Sequence, residues 1–158
     1  MNGGMELYLH MPFCVRKCAY CDFLSFPTDQ ETQNLYTRRL REDIDAMGKK
    51  YGDIPVDTIF IGGGTPSVPD SALIVGIMEH VRKAFHVAEG AEISMEANPG
   101  TVTREKLTDY RRAGINRLSF GLQSANDREL KLLGRIHTWA EFLESFHLAR
   151  ECGFTNIN

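Results

Sequence analysis

At 158 residues with 42% hydrophobic content, the chain is long enough to bury one domain-sized core. Charged residues make up 25% and the formal net charge is −3, so no broad basic face stands ready for a phosphate backbone and nucleic acid is not an expected partner. No apolar run approaches the ~20 residues that span a bilayer, and the opening Met1 to Glu6 has neither the basic nor the apolar region of a secretory signal, which together predict a cytoplasmic protein with no transmembrane segment.

Glu6 to His10 alternates as a short strand does, and Pro12 ends it. A loop with three cysteines follows. From about Glu31 to Tyr51, the residues Tyr36, Leu40, Ile44, Met47 and Tyr51 predict one apolar stripe of an amphipathic helix. Val56 to Ile61, β-branched and aromatic, reads as a strand feeding directly into Gly62-Gly63-Gly64-Thr65-Pro66-Ser67. Leu73, Ile77, Val81 and Phe85 mark a second helix, and Glu92 to Ala97 a third strand. Thr103 is placed to cap a helix that closes at Gly114, where a glycine can take the left-handed position. Ile115 to Phe120 reads as a fourth strand.

Asn126 to Leu133 predicts a short helix stopped by Gly134, and Thr138-Trp-Ala-Glu141 has the form of a capping box opening a last helix that ends at Gly153. Trp139, Phe142 and Phe146 read as core. Gly153 to Asn158 reads as the opening of a fifth strand. Arg111, Gly114 and Leu118 recur 39 residues later as Arg150, Gly153 and Ile157, so one helix-end, glycine, strand-start pattern is used twice. Strands alternating with helices at this spacing imply an α/β fold of parallel strands joined by right-handed crossovers, either part of a barrel or an open doubly wound sheet. In both, ligands sit where the strand ends meet, and Phe13 to Thr28, Gly62 to Asp70 and Gln123 to Asn126 all follow strands.

Two basic groups, Arg38, Arg39 and Arg41 and the pair Arg111 and Arg112, are balanced by nearby acids and read as solvated helix faces. The four cysteines are unevenly placed, with Cys14, Cys18 and Cys21 within eight residues and Cys152 alone at the other end. Disulfide frameworks staple distant segments, whereas the ligands of one metal centre can come from a single loop. Iron–sulfur cubanes are usually held by four thiolates, so three close cysteines can hold a [4Fe–4S] cluster with one iron open to chelate a small molecule. The other readings are a zinc site completed by His10 or Cys152, and a chance grouping; zinc loops ordinarily carry a distant second pair, which this chain lacks. Cys152, next to a helix-ending glycine, reads as a small buried hydrophobe.

Cys14-Val-Arg-Lys-Cys18-Ala-Tyr-Cys21, with an aromatic before the third cysteine, resembles the signature of the radical S-adenosylmethionine superfamily. Tyr8-x-His10-x-Pro12-Phe13-Cys14, Tyr20-Cys21-Asp22-Phe23 and Gly62 to Ser67 narrow the resemblance to the oxygen-independent coproporphyrinogen III oxidase family. Glu96-Ala-Asn98-Pro99, Phe120 to Ser124 and Leu133-Gly-Arg135-Ile-His137 continue it in order. The resemblance implies the amino-terminal part of a radical S-adenosylmethionine partial (β/α) barrel. It implies a [4Fe–4S] cluster on Cys14, Cys18 and Cys21 and S-adenosylmethionine beside it, set up for reductive cleavage. It also assigns the ligand contacts: backbone groups of Gly63, Gly64 and Thr65 for the methionine end, Arg135 for its carboxylate, Glu96 for the amine or a ribose hydroxyl, Gln123 for the ribose, Tyr20 against adenine, and Tyr8 as a further contact. His10 and His137 belong to the pattern with loop-structuring hydrogen bonds as the expected role.

Within the family, two functions from different classes stand open. One is the oxidative decarboxylase that converts coproporphyrinogen III to protoporphyrinogen IX; the other is a haem chaperone that binds haem and hands it to an acceptor protein. Decarboxylases of this family are expected to carry a fourth cysteine two positions after the third and a long amino-terminal extension. Here position 23 is Phe23 and seven residues precede Tyr8, which favours the chaperone branch. The resemblance further implies an electron donor. It also implies that residues 1–158 are one truncated core domain, with the remaining barrel, a ligand-contacting aspartate and a carboxyl-terminal domain beyond them; complete barrels run to ~250 residues.

Overall fold

The computed structural model describes residues 4–158, so Met1, Asn2 and Gly3 of the opening segment lie outside the described residues. Five strands alternate with helices: β1 (Met5–Met11), α1 (Gln30–Tyr51), β2 (Val56–Gly63), α2 (Ser71–Ala84), β3 (Val87–Ala97) and α3 (Arg104–Arg112), then β4 (Arg117–Phe120), α4 (Asp127–Leu132), α5 (Trp139–Glu151) and β5 (Asn156–Ile157). The sheet runs β1-β2-β3-β4-β5 with every pairing parallel. A doubly wound sheet reverses its strand order at a switch point, whereas consecutive order with right-handed crossovers winds all the helices onto one face. Of the two architectures open from sequence, the molecule is thus the partial (β/α) barrel. No helix among the described residues is long and apolar enough to cross a membrane.

Register separates the two faces. Leu9 pairs with Ile61, Ile61 with Met95 and Met95 with Leu118, and all four side chains are buried toward the helices. Each such side chain removed from water stabilises the fold by about 1.5–3 kcal/mol. The alternate positions line the other face: Tyr8 pairs with Phe60, Phe60 with Ser94, and Ser94 with Arg117. On that inner face Tyr8 is 58% exposed and stacked on the Phe60 ring at 6.1 Å, whereas Ser94 is buried.

The 39-residue echo is a structural repeat. Gly114 and Gly153 take φ of 88° and 89°, the left-handed position that ends α3 and α5. Arg111 donates to the Ile115 carbonyl at 2.8 Å, and Arg150 to the Phe154 carbonyl at 3.3 Å. Leu118 and Ile157, the third members of the pattern, then pair directly across β4 and β5. Thr103 and Thr138 cap α3 and α5 as expected, the latter in a complete capping box with Glu141.

Three expectations are corrected. On α1, Ile44 is buried and Tyr36, Leu40 and Tyr51 pack half-buried against the core as expected, but Met47 is exposed, and Gln33 and Thr37 extend the buried line. Steps of four and seven lie on one helix face as well as apolar spacing does, and the Thr37 hydroxyl, donating to the Gln33 carbonyl at 2.9 Å, is buried without cost in unmade bonds. Strand β3 begins at Val87 rather than Glu92, because the register jumps from Val56–Val87 to Thr58–Glu92 and the bulge absorbs the intervening residues around Gly90. Trp139 and Phe146 are half-buried rather than core; with Phe142 between them they form an aromatic ladder along α5 at 5.3 and 6.0 Å centroid spacing.

Tyr110 on α3 is fully buried, and its hydroxyl has no hydrogen-bond partner among the described residues. Burial holds the phenol neutral by pushing its pKa up. An unpaired buried hydroxyl costs about 1–3 kcal/mol, so Tyr110→Phe is expected to leave stability unchanged or raise it by up to that amount. Urea unfolding checks this; a lower midpoint in the variant would contradict it.

Candidate functional site

The segment after β1 is stitched into a fixed loop by its own backbone and by two other regions. Phe26 donates to the Pro12 carbonyl at 2.9 Å and Cys14 to the Phe26 carbonyl at 3.2 Å, closing the base of the loop. The Cys21 amide turns back to the Cys18 carbonyl at 3.1 Å. Across the cleft, Arg16 donates to the carbonyls of Gly134 and Arg135 at 3.0 and 3.1 Å. His10 donates from Nε2 to the Leu24 carbonyl at 3.0 Å, which leaves Nδ1 to accept from the Tyr8 hydroxyl at 3.0 Å. This is the loop-structuring role expected of His10.

The glycine run at the end of β2 is shaped by close backbone approach. A side chain at Gly64 would stand 2.6 Å from the Phe13 carbonyl oxygen, and Gly63 takes φ +115° with the His10 ring packed on it. The Gly64 and Thr65 amides donate to the Met11 and Phe13 carbonyls at 2.8 and 2.6 Å, and the Gly63 amide to Glu96 Oε2 at 3.0 Å. Those three amides are engaged inside the protein, and the Thr65 carbonyl accepts from the Val68 amide at 3.0 Å, so a ligand would meet this strand end through remaining carbonyl lone pairs.

A chain of side chains ties four loops together. Cys14 Sγ lies 3.7 Å from Thr65 Oγ1, which accepts from Asn98 Nδ2 at 3.0 Å. Asn98 Oδ1 in turn accepts from Arg135 Nη2 at 2.7 Å. Arg135 continues to the Gly121 carbonyl and, through Nη1, to Cys18 Sγ at 3.5 Å and the Tyr20 hydroxyl at 3.3 Å. Its Nε is buried with no partner among the described residues. Asn98 was not among the residues singled out from sequence, although Glu96-Ala-Asn98-Pro99 marked its place.

Glu96 and Gln123 come to the same cleft. Glu96 is half-buried, and desolvation raises its carboxyl pKa despite the Gly63 amide and nearby His10. Gln123 holds φ 72°, a left-handed conformation unusual outside glycine. His137, 4% exposed, reaches the Leu122 carbonyl with Nε2 at 3.2 Å and so fixes the backbone beside Gln123. Burial and the Arg135 charge lower the His137 pKa.

The cleft, about 240 Å³, is lined by all three clustered cysteines, Tyr20, Gly63, Gly64, Thr65, Glu96, Gln123 and Arg135. Tyr8 alone of the expected contacts is not on its wall; it sits on the inner sheet face, two residues below His10. No three His, Cys, Asp or Glu side chains among the described residues are spaced to hold a single metal ion. A cubane presents different irons to its thiolates, so its ligands stand farther apart than those of one ion. The donors considered for a zinc site are engaged elsewhere: both His10 nitrogens are bonded as above, and Cys152 Sγ lies near the Arg104 carbonyl at 3.9 Å. Three thiols beside a guanidinium whose buried Nε lacks a partner suit a cluster with an anionic ligand next to it.

A one-sided parallel sheet with three cysteines in the loop after its first strand defines a class, and the Radical SAM superfamily model matches residues 8–158: the chain belongs to that superfamily. Within it, the chain is 42% identical over 160 residues to the protein named Heme chaperone HemW from Escherichia coli strain K12, covering 98% of this chain and 41% of that one. The Bacillus subtilis strain 168 protein of the same name is 36% identical over 152 residues, covering 96% and 40%. Among solved structures, the coproporphyrinogen III oxidase HemN from Escherichia coli, described as a radical SAM enzyme, matches with TM-score 0.91 and 31% identity over the whole chain and 37% of that protein. The hydrogenase maturase HydG shares the fold at TM-score 0.64 and 15% identity. The chain spans about two fifths of the length of these HemW relatives.

Proposed function

We propose that Cys14, Cys18 and Cys21 hold a [4Fe–4S] cluster and that the adjoining cleft binds S-adenosylmethionine. The observation that carries this reading is the convergence of three thiols, the Arg135 guanidinium and the Glu96 carboxylate on one cleft at the strand ends. Reductive cleavage of the sulfonium is the chemistry that the cluster and its ligand supply when bound. What the chain contributes is orientation. Arg135 pairs with the methionine carboxylate through its positive charge and its unpartnered Nε–H, and the Gly63 and Gly64 carbonyls accept from the amine. Glu96 accepts from the amine or a ribose hydroxyl, Gln123 hydrogen-bonds the ribose, and Tyr20 packs against adenine. Thr65 holds the wall behind Cys14, and Tyr8 meets the ligand from the inner sheet face.

For the whole protein we propose a haem chaperone: haem is bound and passed to an acceptor protein, with an electron donor serving the cluster. Residues 1–158 form the first part of its radical SAM core. Identity of 42% to the Escherichia coli heme chaperone along 98% of the chain supports this, as does Phe23 where a fourth cysteine is expected of a decarboxylase. The alternative is the decarboxylase itself, favoured by the TM-score of 0.91 to coproporphyrinogen III oxidase. Backbone likeness of that kind reports the scaffold rather than the chemistry on it.

Anaerobic reconstitution with iron and sulfide is expected to load about four irons per chain, and none once Cys14, Cys18 and Cys21 are all serine. Preferential uptake of zinc, or a cluster retained by the triple variant, would contradict the assignment. For the branch, the complete protein is expected to bind haem and to leave coproporphyrinogen III unconverted in a porphyrin assay. Turnover to protoporphyrinogen IX would transfer the assignment to the decarboxylase.

A further inference from the structure

The hydrogen bonds around the cleft run in one direction, and Asn98 sets it. Arg135 Nη2 donates and cannot accept, and it lies 2.7 Å from Asn98 Oδ1. The amide therefore turns its oxygen to the guanidinium, since the flipped amide would set two donors against each other. Its NH₂ then faces Thr65, with Nδ2 3.0 Å from Oγ1. The Thr65 oxygen is thus an acceptor toward Asn98, and its own proton is left to point elsewhere. Cys14 Sγ, at 3.7 Å, is the sulfur within its reach. As a thiolate, Cys14 has no proton and can only accept. Thr65 is 3% exposed, so water does not compete for that proton.

Resting on the cluster assignment above, we propose that the Thr65 hydroxyl, aimed by Asn98, donates a hydrogen bond to the Cys14 thiolate and raises the cluster's reduction potential. A donor on a ligand sulfur stabilises the reduced, more negative cluster over the oxidised one. Arg135 Nη1, 3.5 Å from Cys18 Sγ, acts in the same sense on a second sulfur. Thr65 and Asn98 are positioning residues here, since neither supplies a metal ligand. Asn98 also connects the guanidinium that meets the ligand carboxylate to the sulfur that meets the cluster.

The test is a redox titration of the reconstituted cluster followed by electron paramagnetic resonance. Thr65→Val keeps the shape of the side chain and removes the donor; its potential is expected to be more negative than wild type, while Thr65→Ser stays at the wild-type value. Asn98→Asp replaces the NH₂ by an acceptor that draws the Thr65 proton away from Cys14. Its potential also falls, and falls less when made on top of Thr65→Val, where only the added charge remains to act. Thr65→Ala gives the same comparison if Thr65→Val does not retain the cluster. An unshifted potential in the variant lacking the hydroxyl, or a Thr65→Ser shift as large as that of Thr65→Val, would overturn the inference. A wild-type chain with no [4Fe–4S] signal would overturn the cluster assignment and this inference together, whereas a normal wild-type signal with unshifted variants overturns this inference alone.

Discussion

Arg135 is the group on which the cleft depends, because a guanidinium donates in several directions and accepts in none. One fork reaches Asn98 beyond β3, the Gly121 carbonyl beyond β4, and Tyr20 and Cys18 in the loop after β1. Its carbonyl is held in turn by Arg16 of that same loop. Loops that follow three different strands thereby share one polar partner. Without it, the amide of Asn98 would lose the donor that orients it, and Thr65 would lose the amide that orients its hydroxyl. A positive charge also suits a place where three thiolates and a ligand carboxylate are proposed to gather.

The rest of the fold delivers these loops to one end. Consecutive winding puts the helices on one face, so every β-to-α loop leaves the same edge of the sheet. The buried rows of Leu9, Ile61, Met95 and Leu118 fix the register, and a one-residue slip in it would turn Glu96 and His10 toward the core. Membership of the Radical SAM superfamily agrees with this layout, and likeness to both a heme chaperone and a coproporphyrinogen III oxidase shows one scaffold under two functions.

The strand and helix alternation was legible because hydrophobic period and end signals coincide, as at Thr103 and Gly114 or Thr138 and Gly153. The 39-residue echo even named a pair, Leu118 and Ile157, that the sheet brings side by side. On α1 only Met47 departs from the apolar stripe, and Gln33 and Thr37 join its buried line because side chains that bond to nearby backbone bury well even when they look polar in sequence. The onset of β3 was missed because a bulge breaks the alternation that identifies a strand. The site residues cluster as the motifs suggested, Tyr8 apart. Asn98 stands in a matched block, but its role is not legible there because both partners, Thr65 and Arg135, are more than thirty residues away and nothing local marks a bridging amide. Nor could spacing tell that the Gly63, Gly64 and Thr65 amides are engaged internally; that follows only from how closely the loop after β1 passes.

Three thiolates are proposed to leave one iron to a ligand oriented by this cleft. Electron–nuclear double resonance on the reduced cluster, with S-adenosylmethionine labelled by ¹⁷O in its carboxylate, measures that contact directly. A hyperfine coupling from the label to the cluster is predicted, together with its loss in Arg135→Ala. A fully loaded cluster that shows no coupling to the labelled carboxylate would rule out that contact.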